Sequence, residues 1–373
     1  MVVWELIGAV SLGSWIYLVF GRGRFWRMEE TAAPAWNGPA KSVAVVIPAR
    51  NEEPVIGRAI ASLLQQDYPG SLRVFLADDH STDATIAAAG TDERLTIVQA
   101  RALPVGWTGK LWAVSEGLEQ AASMQSDYIL LTDADIVHAP GHVAGLVGRA
   151  EAGQLDLVSY MVKLRCRTPA ERALIPAFVF FFFKLYPPKW IERRDHKTAG
   201  AAGGCMLIRS SALARIGGIA AIRGELIDDC ALARAVKQTG GAIWLGLTHD
   251  TRSIRDYETF GEIHSMIART AFTQLGYSPV LLIATILAMA IIYLAPPLLL
   301  LTRDAIAAAC GVVAWLLMSI AYVPTLRLYG RSLAWALLLP LVALFYMAAT
   351  LDSAFRYWTG RGGLWKGRIQ TAP

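Results

Sequence analysis

The chain has 373 residues, of which 54% are hydrophobic and 17% charged, and its mean hydropathy is +0.40. That is too apolar for an ordinary soluble protein and calls for membrane segments beside one large soluble domain. A net charge of +5 would suit nucleic acid. The basic residues, however, cluster beside apolar runs, at Arg22, Arg24 and Arg27 and again at Arg356, Arg361, Lys366 and Arg368, which favours anionic lipid and topology control.

In chain order, Val2 to Phe20 is a mostly apolar run followed by positive charge, the pattern of a signal anchor whose C-terminal side is cytoplasmic. A Pro/Gly/Ala-containing linker leads to Val43–Pro48, a buried-strand run that passes into Ala-Arg-Asn-Glu-Glu (49–53). Val55 to Gln66 has helical periodicity. Leu72 to Ala77 reads as a second strand that ends in Asp-Asp-His-Ser-Thr-Asp (78–83), and Leu95 to Val98 as a third. A helix follows over Lys110 to Ala122, and a fourth strand runs from Tyr128 to Leu131. Strands alternating with helices of this length predict a doubly wound α/β domain with a mostly parallel sheet.

The fourth strand runs into Thr-Asp-Ala-Asp (132–135), which places Asp133 and Asp135 at its C-terminal end. In an open α/β sheet that edge binds ligands, and paired carboxylates suit Mg²⁺ or Mn²⁺. An Asp-x-Asp also caps turns and helices, so the pair alone does not decide. The four cysteines have no CxxC spacing, which implies neither disulfides nor zinc and fits a reduced compartment. His138 and His142 are separated by Pro140-Gly141, which argues against a helical metal pair.

Further strands are expected at Leu155 to Tyr160 and Met206 to Ile208, and a helix over Glu225 to Gln238. Leu174 to Leu185, rich in Phe, is short for a span and reads equally as core or as an interfacial segment. Phe260 to Leu275 has the pattern of an interfacial amphipathic helix. Val280 to Leu301, Ile306 to Leu326 and Leu333 to Leu351 each suit a membrane crossing. This layout gives an anchor over 1–21, a soluble domain over 40–258, an interfacial helix over 259–276, membrane helices over 279–355 and a basic tail over 356–373. One span before the domain and three after it put the tail outside, whereas its charge asks for the inside.

Five motifs occur in family-like order: Val-Ile-Pro-Ala-Arg-Asn-Glu-Glu (46–53), Ala-Asp-Asp-His-Ser-Thr-Asp (77–83), Thr-Asp-Ala-Asp (132–135), Gly-Gly-Cys-Met-Leu-Ile-Arg (203–209) and Asp-Asp-Cys-Ala-Leu-Ala (228–233). The chain thereby resembles membrane-bound family 2 glycosyltransferases of the nucleotide-sugar-binding GT-A fold. Gly-Trp-Thr-Gly-Lys (106–110) and Trp-Lys-Gly-Arg (365–368) are similar to hopanoid-biosynthesis-associated members, kin to ceramide glucosyltransferases.

The resemblance implies a UDP-sugar donor, a membrane lipid acceptor, an Mg²⁺ or Mn²⁺ cofactor, a bacterial inner membrane with the domain facing the cytoplasm, and transfer with inversion. It assigns the metal to Asp135 with Asp133, which also contacts ribose or sugar, and the base to Asp79 with Asp83. Asp83 reads equally as a cap. Pro48, Arg50 and Glu52 would form the nucleotide rim, and Lys110 or Arg269 would meet the diphosphate. Asp229 would be the general base, although Asp228 stands where the family usually has Glu. No Trp follows Arg269, which favours single transfer over polymer synthesis. Sphingolipid and polyprenyl-phosphate acceptors are alternatives, as is a scaffold or transporter role; the intact acidic set speaks against silence.

Overall fold

The computed structural model describes residues 2–32, 38–365, 368 and 369, so Lys366-Gly367 of the C-terminal motif lies outside the described residues. The chain forms two compact units, one chiefly Glu30–Arg165 with Trp190–Asp256, the other Met1–Glu29, Cys166–Lys189 and Tyr257–Gly362.

The first unit is built on an eight-stranded sheet of β1 (Val43–Ala49), β2 (Leu72–Asp78), β3 (Leu95–Gln99), β4 (Tyr128–Thr132), β5 (Ile136–His138), β6 (Leu157–Lys163), β7 (Cys205–Arg209) and β8 (Ile243–Ser253). The order is β3-β2-β1-β4-β7-β6-β8-β5. All residues of β1 and β4 are buried, as expected of strands covered on both faces. β1 runs parallel to β2 and β4, so Ala49, Asp78 and Thr132 end along one edge. β7 enters antiparallel between β4 and β6, and its Cys205 is level with Thr132. The ligand-binding edge of the sheet therefore also receives the turn that precedes β7.

The eleven residues of β8 carry no expectation from the sequence. Its first half is buried, but Thr248 to Ser253 mixes polar residues into the strand and hides the apolar signal. β5 pairs with that polar half, from Ile136↔Ser253 to His138↔Thr251, and so fixes Asp135 beside the end of β8.

In the second unit, five helices among the described residues are long and apolar enough to cross a membrane: Val2–Gly21, Pro169–Ile191, Pro279–Leu299, Ala305–Leu328 and Leu333–Trp358. The aromatic segment is one helix, Pro169–Leu185, opened by a capping box in which Thr168 and Glu171 each bond the other's backbone. It is inserted in the chain between β6 and β7, which are neighbours in one sheet. Phe180 and Phe183 are buried, Phe180 against Phe25 and Tyr322. The interfacial helix is shorter than its amphipathic pattern, ending at Ala268, with a 3₁₀ turn at Thr273–Leu275. Pro296 and Pro297 follow a π-helical turn at Ala290–Leu294, where the proline rings displace the regular ladder.

The last hydrophobic segment turns back on itself. Trp315 Nε1 donates to Leu337 O at 3.3 Å, so the entering chain reaches only the middle of Ala305–Leu328. The helix Leu339–Trp358 then ends beside the start of Pro279–Met289, with Phe272 N donating to Ser353 Oγ at 3.0 Å and Tyr357 stacked on Tyr277 at 4.4 Å. Both ends of 333–358 thus lie at the same end of the antiparallel pair 279–299 and 305–328.

Candidate active site

Two loops knit the nucleotide edge together. After β1, Asn51 adopts φ 53°, and after β2 His80 adopts φ 54°, conformations in which Asn and His are tolerated. Asn51 N donates to Ser81 Oγ at 3.0 Å and Thr82 N donates to Asn51 Oδ1 at 2.8 Å. Arg50 donates to the Asp79 carbonyl, and its guanidinium lies 3.6 Å from the Asp79 carboxylate, which is fully buried. Asp83 accepts from Thr85 N at 3.0 Å and from Glu53 N at 3.2 Å. Burial pushes its carboxyl up, but the bonds from Thr85 and Glu53 outweigh this and hold it below the usual range. Its observed partners are those of a loop tie.

The helix Gly109–Ala121 is N-capped by Thr108, and Gly106 takes φ 83° in the turn before it. Lys110 therefore sits in the first helical turn, yet it is not the solvated cation such a position suggests. Its Nζ is 2.9 Å from Asp133 Oδ1 and 3.1 Å from Asp228 Oδ2. Burial alone would lower its pKa, but Asp133, Asp228 and Asp229 more than reverse this and keep it a cation. Pro48, Lys110, Asp133, Gly203 and Asp228 line one small cleft.

Asp229 opens the helix Asp228–Gln238 and accepts from Gly203 N at 2.9 Å and Cys230 N at 2.7 Å. Desolvation and the neighbouring Asp228 raise its pKa to about 6, against the opposing pull of Lys110 and the two N–H groups. A carboxylate poised there is still a base at neutral pH and is stronger than an ordinary one.

Asp135 faces partners that the sequence did not single out. Ser253 Oγ donates to Asp135 Oδ2 at 2.5 Å, and Arg255 Nε lies 3.6 Å from the same oxygen. Arg255 Nη2 also donates to both Glu52 oxygens, at 2.8 and 2.9 Å. Both residues end or follow β8, the strand hidden in the sequence. Glu52 is thus an anchor for Arg255. Asp133 and Asp135 supply only oxygen donors, which suits a hard divalent cation, while Lys110 and Arg255 are the positive charges that such an ion would compete with for these carboxylates. Arg269 caps the C-terminal end of Phe260–Ala268, in the other unit, and is not among the groups assembled here.

This edge, with paired carboxylates after β4 and a raised carboxyl on the helix before β8, belongs to a GT-A nucleotide-sugar-binding fold. Residues 44–217 match the model of Glycosyl transferase family 2. It is similar to an N-acetylglucosaminyltransferase of Rhizobium leguminosarum bv. viciae, at 34% identity over 38% of this chain and 34% of the relative. It is also 34% identical to the beta-monoglucosyldiacylglycerol synthase of Synechocystis sp., over 36% of this chain and 27% of that one. A 4,4'-diaponeurosporenoate glycosyltransferase of Staphylococcus aureus is 32% identical over 30% of this chain and 28% of its own length. The matches thus span about a third or less of these curated relatives. Among solved structures, the mannosyltransferase PcManGT of Pyrobaculum calidifontis, in complex with GDP-Man and Mn²⁺, shares the fold at TM-score 0.57 and 20% identity, over 95% of this chain and 99% of that one.

Proposed function

We propose that the protein transfers a hexose from a UDP-sugar to the hydroxyl of a membrane lipid, with inversion at the anomeric carbon. The observation that carries this reading is Asp229, a carboxylate raised to about 6 that accepts from the backbone of Gly203, itself part of the cleft wall with Lys110 and Asp133. In this role Asp229 takes the proton of the acceptor hydroxyl as its oxygen attacks the anomeric carbon and the diphosphate leaves from the opposite face. Lys110 stands ready as a cation for the diphosphate, and Pro48 and Arg50 shape the rim below the nucleotide. Asp133 and Asp135 would hold Mg²⁺ or Mn²⁺, which supplies Lewis-acid stabilisation of the leaving group when bound.

Two relatives carry lipid-like acceptors or products in their names, glucosyldiacylglycerol and diaponeurosporenoate, which supports a lipid acceptor here. The Gly-Trp-Thr-Gly-Lys resemblance narrows this to a polycyclic triterpenoid of the hopanoid type. For topology, we infer three crossings, Val2–Gly21, Pro279–Leu299 and Ala305–Leu328, with 169–191 and 333–358 entering and leaving on one side. That count puts Arg22, Arg24, Arg27, Arg356 and Arg361 on the side of the soluble domain, and the positive-inside rule makes that side cytoplasmic.

The test is nucleotide release by detergent-purified protein, with UDP-sugars and GDP-mannose, with and without Mn²⁺ and extracted lipids. Lipid-stimulated UDP release, with a product of inverted anomeric configuration by NMR, is the expected result. Release only from GDP-mannose would overturn the donor, and a water-soluble acceptor would overturn the lipid.

A further inference from the structure

Behind the carboxylate edge lies a second cluster made of neutral donors. His138 ends β5, His142 opens the helix His142–Ala152 and Cys205 opens β7, and they are 3%, 3% and 0% exposed. One ligand atom from each lies within 4.8 Å of the others. His142 Nε2 is 3.3 Å from Cys205 Sγ. Cys205 is distant from both histidines in the chain and comes into place only through the antiparallel register Thr132↔Cys205.

The hydrogen bonds fix the tautomer of His138. Thr132 Oγ1 has one proton, which it donates to Gly204 O at 2.8 Å. Its 3.0 Å contact with His138 Nε2 therefore has Nε2–H donating to Oγ1. That leaves the lone pair on Nδ1, and this buried atom has no hydrogen-bond partner among the described residues. Folded proteins rarely leave such an acceptor bare. An imidazole whose other nitrogen donates to an oxygen is the usual arrangement of a metal-ligating histidine.

We propose that His138, His142 and Cys205 form a structural site for a borderline-to-soft cation of the Zn²⁺ class, separate from the carboxylate site. Two imidazoles and one sulfur suit Zn²⁺ or Cu⁺ and are poor donors for Mg²⁺ or Mn²⁺. On binding, the Sγ–H bond breaks, the proton goes to solvent and the sulfur electron pair forms the metal–thiolate bond, with no change of oxidation state. Without a cation the thiol stays protonated, since burial pushes Cys205 up to about 12. Tyr160 packs on His142 at 5.5 Å and Trp244 on Tyr160 at 5.0 Å, which closes the site from water. The ion would pin β5, the following helix and β7 together behind Asp133 and Asp135, a structural rather than a catalytic part.

The experiment is metal analysis of the full-length protein in detergent. It is expressed with added zinc, washed with EDTA to clear the exposed carboxylates, and measured by mass spectrometry of the elements. The expected result is close to one zinc or copper per chain, lowered at least tenfold by Cys205→Ser and by His142→Gln and unchanged by Asp135→Asn. Cobalt-loaded protein is expected to show a near-ultraviolet thiolate-to-cobalt band that Cys205→Ser abolishes. If the variants do not fold, the wild type decides alone: no stoichiometric zinc or copper together with no thiolate band overturns the site. Metal retained in folded Cys205→Ser also overturns it. Neither readout depends on sugar transfer, so failure of the proposed activity would leave this test intact.

Discussion

Two clusters meet at the end of β4, one residue apart in the chain. Asp133 faces the cleft with Lys110 and Asp228, in a set of partly buried charges that Asp229 adjoins. Thr132 faces inward, where it holds His138 above His142 and Cys205 in a set of buried neutral groups. The alternation of a strand is enough to separate them. Burial acts on both with opposite results. At His142 in the inner set burial acts alone, and the imidazole is pushed down to about 3 and does not titrate near neutral pH. In the outer set burial is partly offset by Lys110 and by backbone donors, and Asp229 comes to rest at about 6. A group useful for moving a proton arises where desolvation is incompletely compensated, and neither full burial nor full exposure produces it.

The largest effect should come from breaking the outer set at Asp229. Asp229→Asn is expected to lower kcat by roughly 10²–10⁴, the usual contribution of a general base, with the donor KM little changed. Wild-type kcat should fall as pH drops through about 6, where the base becomes protonated. Stability runs the other way. The folded pKa lies above the unfolded carboxylate value, so the stability this group contributes is present at low pH and lost as pH rises through about 6. Asp229→Asn should therefore raise the thermal midpoint at pH 7.5 and leave it nearly unchanged at pH 4.5. Activity retained in the variant would move the base elsewhere.

Lys110→Met should follow in size. It removes the cation that opposes the rise of Asp229, so the acid limb of the pH–rate profile should move above pH 6. Loss of a charge-assisted bond to the diphosphate should raise the donor KM by about tenfold. A profile that does not move would show that Asp229 is set by burial alone.

These residues differed in how legible they were. β1, β2 and β4 could be read because each is a continuous apolar run that stops at polar residues, and this placed Arg50, Asp79 and Asp133 on one edge. Asp229 could be found from the acidic pair at a helix start, although its raised pKa needs the burial and the Gly203 contact that only the fold supplies. Arg255 and Ser253 could not be found, because the polar half of β8 has no apolar period. The start of the helix Pro169–Leu185 was present in the sequence as Thr168-Pro169-Ala170-Glu171, a capping signal hidden by the Phe-rich run behind it. The turn of 333–358 back to its own side could not be read at all, since its composition is that of a full span.

Arg255 offers a smaller test, on the metal side of the same edge. Its guanidinium lies 3.6 Å from Asp135 and competes for it with any divalent cation. Arg255→Gln should lower the Mn²⁺ concentration for half-maximal activity several-fold, while Glu52 loses the two bonds from Arg255 and the melting temperature drops by a few degrees. A higher Mn²⁺ requirement would mean that Arg255 orients Asp135 for the metal.

The smallest effect is expected at Asp83, which distinguishes a loop tie from a base contact. Its carboxylate accepts from Thr85 and Glu53, joining the loops after β1 and β2. Replacing it with Ala should cost about 1 kcal/mol of stability, the net worth of such bonds, and change the donor KM by less than about twofold. The sign with pH is the reverse of that for Asp229. The folded pKa is lowered, so the stabilisation is present above the unfolded carboxylate value and disappears as pH falls through the folded one. The melting difference between wild type and Asp83→Ala should thus shrink on acidification, whereas the difference at Asp229 shrinks only because its carboxyl becomes protonated in both states. A tenfold rise in donor KM for Asp83→Ala, with Thr85→Ala leaving KM unchanged, would place Asp83 on the nucleotide instead. The same carboxylate would then belong to substrate binding, and the knitted loops would need another tie to hold Asn51 and His80 at their positive φ.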